Sequence, residues 1–121
     1  MPNERILVAE DERDLRRMCI RALEMAGYEA VGVADGREAI EIAGRERFDA
    51  LVTDIKMPDV GGLEAYEQIH LACPDLASVV MTGFGTLETA IEAIRLGVYE
   101  FVLKPFRPDE LTSAVERALA R

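Results

Sequence analysis

The 121 residues contain a single histidine, His70, and only two cysteines, Cys19 and Cys73, far apart in the chain. One imidazole gives a histidine-based metal centre or a catalytic triad little to build on, and His70 is expected to be exposed and without a special role. The cysteines lack the spacing of a metal site and are expected to be free and buried as small hydrophobes. Positive charge is scarce as well. Fourteen Lys and Arg stand against 23 Asp and Glu, a formal net charge of -9, which works against nonspecific binding to nucleic acid or to an anionic membrane surface. No apolar run is long enough to span a bilayer, and the opening MPNER has neither the basic nor the apolar region of a signal peptide, so the expected location is the cytoplasm. A phosphate-cradling glycine loop is missing too: the first apolar run is followed by acids where a nucleotide or flavin would need glycines, and GFGT at 83–86 lacks the lysine and spacing of a P-loop.

What is present is an ordinary globular composition, 50% hydrophobic and 31% charged, in a length that suits one domain with one core. RILVAE at 5–10 is a strand, and Leu15, Met18, Cys19, Ala22, Leu23 and Ala26 then recur at helical spacing. YEAVGVA at 28–34 is a second strand, and Asp35 with Glu38 has the form of a capping box for a helix reaching about Arg45. FDALVTD at 48–54 is a doubly buried strand. After the turn signals Pro58, Gly61 and Gly62 comes a helix carrying Leu63, Tyr66, Ile69 and His70, ended by Cys73-Pro74. ASVVMT at 77–82 is a fourth strand. The helix at 86–97 should turn Leu87, Ala90, Ile91 and Ile94 inward and stop at a left-handed Gly97. VYEFVLK at 98–104 is the fifth strand, and Pro108 opens a last helix with Leu111, Ala114, Val115, Ala118 and Leu119 as its buried stripe. Five strands alternating with five helices predict an α/β fold, a parallel sheet with helices on both faces.

In such a sheet ligands bind outside the carboxyl ends of the strands. The residues that end the strands are Glu10 and Asp11, Asp54, Thr82 and Lys104, and they converge on one rim. Three carboxylates brought together repel one another unless a cation sits among them. With oxygen donors only, Mg²⁺ is the best match.

Glu10-Asp11 after an apolar strand, LVTDIKMPDVGG, VVMTG and FVLKPF, in this order and spacing, resemble the response-regulator receiver domain of two-component signalling over essentially the whole chain. The resemblance implies a flavodoxin-like, doubly wound sheet of order 2-1-3-4-5 and one receiver domain over residues 1–121, the N-terminal part of a longer regulator. It makes Asp54 the phosphoacceptor, attacking the phosphohistidine of a partner sensor kinase. Asp11, Asp54 and the Lys56 backbone carbonyl become Mg²⁺ ligands, with Glu10, in place of the commoner Asp, holding the ion through water. Lys104 and Thr82 are to meet the phosphoryl oxygens. Phe101, where tyrosine is frequent, is to turn inward when Thr82 moves, changing the surface of the fourth helix, fifth strand and fifth helix. Gly83 leaves the donor room, Lys104-Pro105 is expected to be cis, and Phe84 and the Lys56 side chain lie where the family tunes the lifetime of the phosphoryl group. Residues 82–106 look most like the receivers that precede sigma-factor-dependent ATPase activators of transcription. ATPase and DNA-binding portions are therefore the first expectation for the output, with a hybrid kinase fragment or a free-standing receiver as the alternatives, and a homodimer through the switch face is the expected assembly.

Other readings are weaker. An aspartyl-nucleophile, Mg²⁺-dependent phosphohydrolase generally has a second acid two residues after the nucleophile, where this chain has Lys56. A receiver-like binding module that is never phosphorylated would not need Asp54, Thr82 and Lys104 together.

Overall fold

Alternation along the strands already divides the core into two halves. The structure, a computed structural model, describes residues 4–57, 60–83, 91–92, 94–95, 97–98 and 100–120. β1 (Arg5–Ala9), β2 (Glu29–Val33), β3 (Ala50–Asp54), β4 (Ala77–Thr82) and β5 (Glu100–Leu103) form one parallel sheet of order β2-β1-β3-β4-β5. Successive side chains point to opposite faces. Ile6, Val8, Val52 and Met81 therefore pack with Leu23 of α1 (Arg13–Met25) and Leu111 of α4 (Pro108–Leu119) on one side. Leu7, Leu51 and Val80 pack with Ala39 of α2 (Gly36–Arg45) and with Tyr66 and Ile69 of α3 (Gly62–Ala72) on the other. All five residues of β3 are buried, because helices cover both faces of a central parallel strand.

Local signals set the helix ends. The Asp35 side chain accepts from the Glu38 N–H at 2.8 Å. Glu38 reaches back to the Ala34 N–H at 3.0 Å, one residue before the cap, so the expected capping box closes in a shifted form. At α4, Pro108 is the first helical residue and Glu110 accepts from the Arg107 N–H at 2.8 Å. Gly97 has φ +94°, the left-handed conformation predicted for it, and its N–H donates to the Ile94 carbonyl at 3.0 Å.

Three expectations are corrected. Within the helix predicted at 86–97, residues 91–92 and 94–95 are helical, but Ile91 and Ile94 are 48% and 65% exposed rather than inward-facing. They lie just before β5, the edge strand of the sheet, where Leu103 is also exposed, and an edge offers less surface to bury a neighbouring helix. Leu87 and Ala90 lie outside the described residues. His70 is half-buried rather than exposed: one turn after Tyr66 on α3, its ring stacks on that tyrosine with centroids 5.3 Å apart, and its Nδ1 is buried without a hydrogen-bond partner. Of the two free cysteines Cys19 is fully buried, its thiol pushed up to about 12 by burial, whereas Cys73, capping the end of α3, is only half-buried. Among the described residues no helix is long and apolar enough to cross a membrane.

Candidate functional site

The chain leaves β1 toward β2 on one side and later returns to β3 on the other, so a crevice opens at the carboxyl ends of β1 and β3. Ala9 lies opposite Thr53 in that pair, and the next residue of each strand is an acid. Glu10 is 1% exposed and Asp54 7%; one oxygen from each of Glu10, Asp11 and Asp54 lies within 4.8 Å of the others. Asp11 is exposed at the mouth of the crevice. On the far side, Thr82 ends β4 and its carbonyl accepts from the Lys104 N–H at 2.8 Å. That bond brings Lys104 to the same rim. Its side chain reaches across β4, and Nζ donates to Asp54 Oδ2 at 2.6 Å and to Glu10 Oε1 at 3.0 Å. The Lys104–Pro105 peptide is cis.

Burial sets the electrostatics. It pushes the Glu10 carboxyl up to about 7, with the Asp54 charge adding to the rise, while the bonds from the Glu12 N–H and Lys104 pull the other way. Burial alone would lower the Lys104 ammonium, but its bonds to Asp54 and Glu10 outweigh that and hold it above the usual lysine range. Three carboxylates against one ammonium leave the rim electronegative, and every candidate donor is oxygen. The residues present fit a hard divalent cation.

A sign follows for pH. A carboxyl raised in the folded state keeps its proton while the unfolded chain loses its own, so Glu10 subtracts stability as pH climbs from about 4.5 to about 7. A divalent cation must displace that proton. Affinity for an added divalent cation such as Mg²⁺, measured by calorimetry, is expected to tighten between pH 6 and pH 8; a constant affinity over this range would contradict a raised Glu10 carboxyl among the candidate ligands.

Other predicted residues are placed as follows. Thr82 is 7% exposed at its strand end, and Phe101 on β5 is half-buried against the cluster of Leu7, Leu51 and Val80. The Lys56 side chain is exposed and its N–H donates to Asp54 Oδ1 at a long 3.3 Å. A Cβ added to Gly83 would meet Lys104 at an ordinary 3.8 Å, so the resting site does not itself require glycine there. Phe84 and Pro58 lie outside the described residues.

Sequence reasoning missed three supports. Glu10 bonds Lys104 directly, beyond the water-mediated metal role expected of it. Arg16, a turn and a half further on, donates from Nη1 to the Glu10 carbonyl at 2.9 Å, and no spacing rule flags an arginine for that task. Gly62, which reads as a turn residue, lies so close to the Asp54 carbonyl that any Cβ would fall onto it. The doubled glycine of DVGG was the available signal.

The profile of the response regulator receiver domain matches residues 6–116. The chain belongs to this family of two-component signalling. The receiver is 36% identical over 115 residues to the Regulatory protein AtoC of Escherichia coli (strain K12), covering 95% of this chain but 25% of that protein. It is 30% identical over 119 residues to the Sporulation initiation phosphotransferase F of Bacillus subtilis (strain 168), covering 98% and 96% of the two chains. The chemotaxis protein CheY4 of Vibrio cholerae superposes with a TM-score of 0.92 at 28% identity, covering 97% of this receiver and 99% of that chain. The receiver thus spans about a quarter of the length of AtoC and nearly all of the phosphotransferase.

Proposed function

We propose that this receiver is a phosphoacceptor switch in which Asp54 takes a phosphoryl group from the phosphohistidine of a partner sensor kinase. The observation that carries the reading is the buried Asp54 carboxylate, 2.6 Å from Lys104 and within 4.8 Å of Glu10 and Asp11 oxygens. A carboxylate oxygen of Asp54 attacks phosphorus, the new O–P bond forms as the P–N bond breaks, and the electron pair of that bond stays on the donor imidazole. Asp11, Asp54 and the Lys56 carbonyl would hold Mg²⁺, with Glu10 acting through water; the ion supplies positive charge to the phosphoryl oxygens. Lys104 supplies a second positive charge, and the Thr82 hydroxyl donates to another phosphoryl oxygen, so this chain contributes mainly positioning and electrostatics. The domain turns over no other substrate and catalyses only its own phosphorylation and dephosphorylation.

Movement of Thr82 toward the phosphoryl group opens space beside Phe101, which is half-buried on the same face of the sheet. Without a hydroxyl on Phe101, packing alone decides its rotation, and the surface around β5 and α4 changes with it. Exposed Ile94 and Leu103 lie on this side and support a homodimer there. The quarter-length coverage of AtoC supports an output in the same polypeptide, ATPase and DNA-binding portions that regulate transcription, and the gene beyond codon 121 checks it.

Incubation with Mg²⁺ and acetyl phosphate should add one phosphoryl mass to the wild-type protein and none to Asp54→Asn, read by intact-mass spectrometry. Equal labelling of the two proteins would remove Asp54 from its role. Beryllofluoride should raise the mass in light scattering toward a dimer; a monomer in both states would remove the dimer.

A further inference from the structure

Two polar atoms lie far from the acidic rim and take no part in it. His70 Nδ1 on α3 and Ser78 Oγ on β4 are both buried, with no hydrogen-bond partner among the described residues. Buried polar side-chain atoms are nearly always paired, and one left alone is costly. Ser78 shares its strand face with Val80, two residues on, which packs in the cluster of Tyr66 and Ile69. The fold itself asks only for an apolar group there. Both residues line one cavity of about 500 Å³ near the amino ends of β3 and β4, the opposite end of the sheet from Asp54.

The cavity has an aromatic wall and an acidic side. Tyr66 and His70 lie one turn apart on α3, their rings stacked at an interplanar angle of 21°. A Cβ on Gly97 would come within 3.3 Å of the Tyr66 hydroxyl, so the glycine lets its turn lie close against that ring. Exposed Glu4 and Asp75 and half-buried Asp49 also line the cavity, and among the described residues no Lys or Arg does. Asp49 accepts from the Arg5 N–H at 2.7 Å, but the Arg5 guanidinium is taken up by Glu29 and Glu46.

We propose that this cavity is a second ligand site, independent of the phosphoacceptor rim, for a small organic cation with a flat apolar body, an aromatic amine or amidinium. The two unpartnered atoms call for a donor, since an imidazole nitrogen without its proton and a serine oxygen both accept from N–H. Three carboxylates with no facing cation favour positive charge and oppose an anion. The stacked pair offers an aromatic surface to such a group. Its volume lies within the range of small-ligand sites, about 300–1,000 Å³. Ser78 turns its hydroxyl about one torsion and His70 its ring about χ2, which lets both meet a ligand.

The test uses benzamidine as the probe, with benzoate and benzamide as anionic and neutral controls of similar shape. In ¹H–¹⁵N NMR of the wild-type receiver, benzamidine should shift the amide signals of His70, Ser78 and Gly97 and leave those of Glu10 and Asp54 in place. Its affinity in the titration should exceed that of either control by about tenfold or more, the effect of one charge-assisted hydrogen bond. Ser78→Ala and His70→Phe each remove one acceptor, and each should weaken benzamidine about tenfold. Neither should lower the melting temperature of the free protein, since no bond within the protein is lost. Unmoved amides at these three residues, equal affinity for benzoate, or unchanged affinity in both variants would overturn the proposal. So would a lower melting temperature of both variants without ligand, because the two atoms would then serve the fold alone.

Discussion

Replacing Lys104 with methionine is expected to slow phosphorylation of Asp54 by about a hundredfold or more, the usual effect of deleting one charge aimed at a reacting oxyanion. The same change should tighten resting Mg²⁺ binding, because it removes the cation that now occupies Asp54 Oδ2 and Glu10 Oε1. Without metal, two buried carboxylates lose their counter-charge at a cost of about 1–3 kcal/mol, below the range for breaking a fully buried pair because Lys104 is partly solvated and Glu10 can take up a proton. The three effects separate roles. A slow rate with tighter Mg²⁺ places Lys104 on the phosphoryl group, whereas an unchanged rate under saturating Mg²⁺ would leave it a structural ion pair.

Gly62→Ala is expected to destabilise the receiver by about 3 kcal/mol, near the upper end for forcing an atom into a packed site, lowering the melting temperature by roughly 10 °C. An added Cβ would fall on the Asp54 carbonyl and within 3.0 Å of Ile55 Cα, so backbone rather than a side chain must move. Gly62 cannot retreat alone, since its N–H donates to the Ile55 carbonyl at 2.8 Å and it begins α3. The displaced group belongs to Asp54, the phosphoacceptor of the proposed function, so on that proposal labelling should fall along with stability. Gly44→Ala on α2 is the control: its Cβ would meet nothing within 4 Å, and an exposed helical alanine should be neutral or stabilising by about 0.5–1 kcal/mol. Similar melting temperatures for the two variants would show that the contact at Gly62 relaxes freely.

Much of this molecule was legible in its residues because the signals were local. The boundaries of β4, the cap at Asp35, the turn at Gly97 and the buried stripe of α4 follow from side-chain period and backbone preference. The residues gathered at the rim were legible because each ends a strand or closely follows one, and a parallel sheet collects its strand ends on one rim. Ile91 and Ile94 misled for the opposite reason. Helical spacing identifies an apolar face but not whether a neighbour covers it, and beside an edge strand less is available. His70 was misjudged because the stack on Tyr66 depends on where α3 lies against the sheet.

The sequence by itself determined the α/β class, the family and the identities of Glu10, Asp11, Asp54, Thr82 and Lys104 as one group, since these depend on period, order and residue chemistry. Tertiary structure alone decided that Lys104 reaches over β4 to two carboxylates, that Glu10 is buried with both oxygens engaged, and that Gly62 lies against the Asp54 carbonyl. The physical reason is distance along the chain. Lys104 lies 94 residues from Glu10 and 50 from Asp54, and contacts of that separation are set by sheet register and packing, which no local preference encodes.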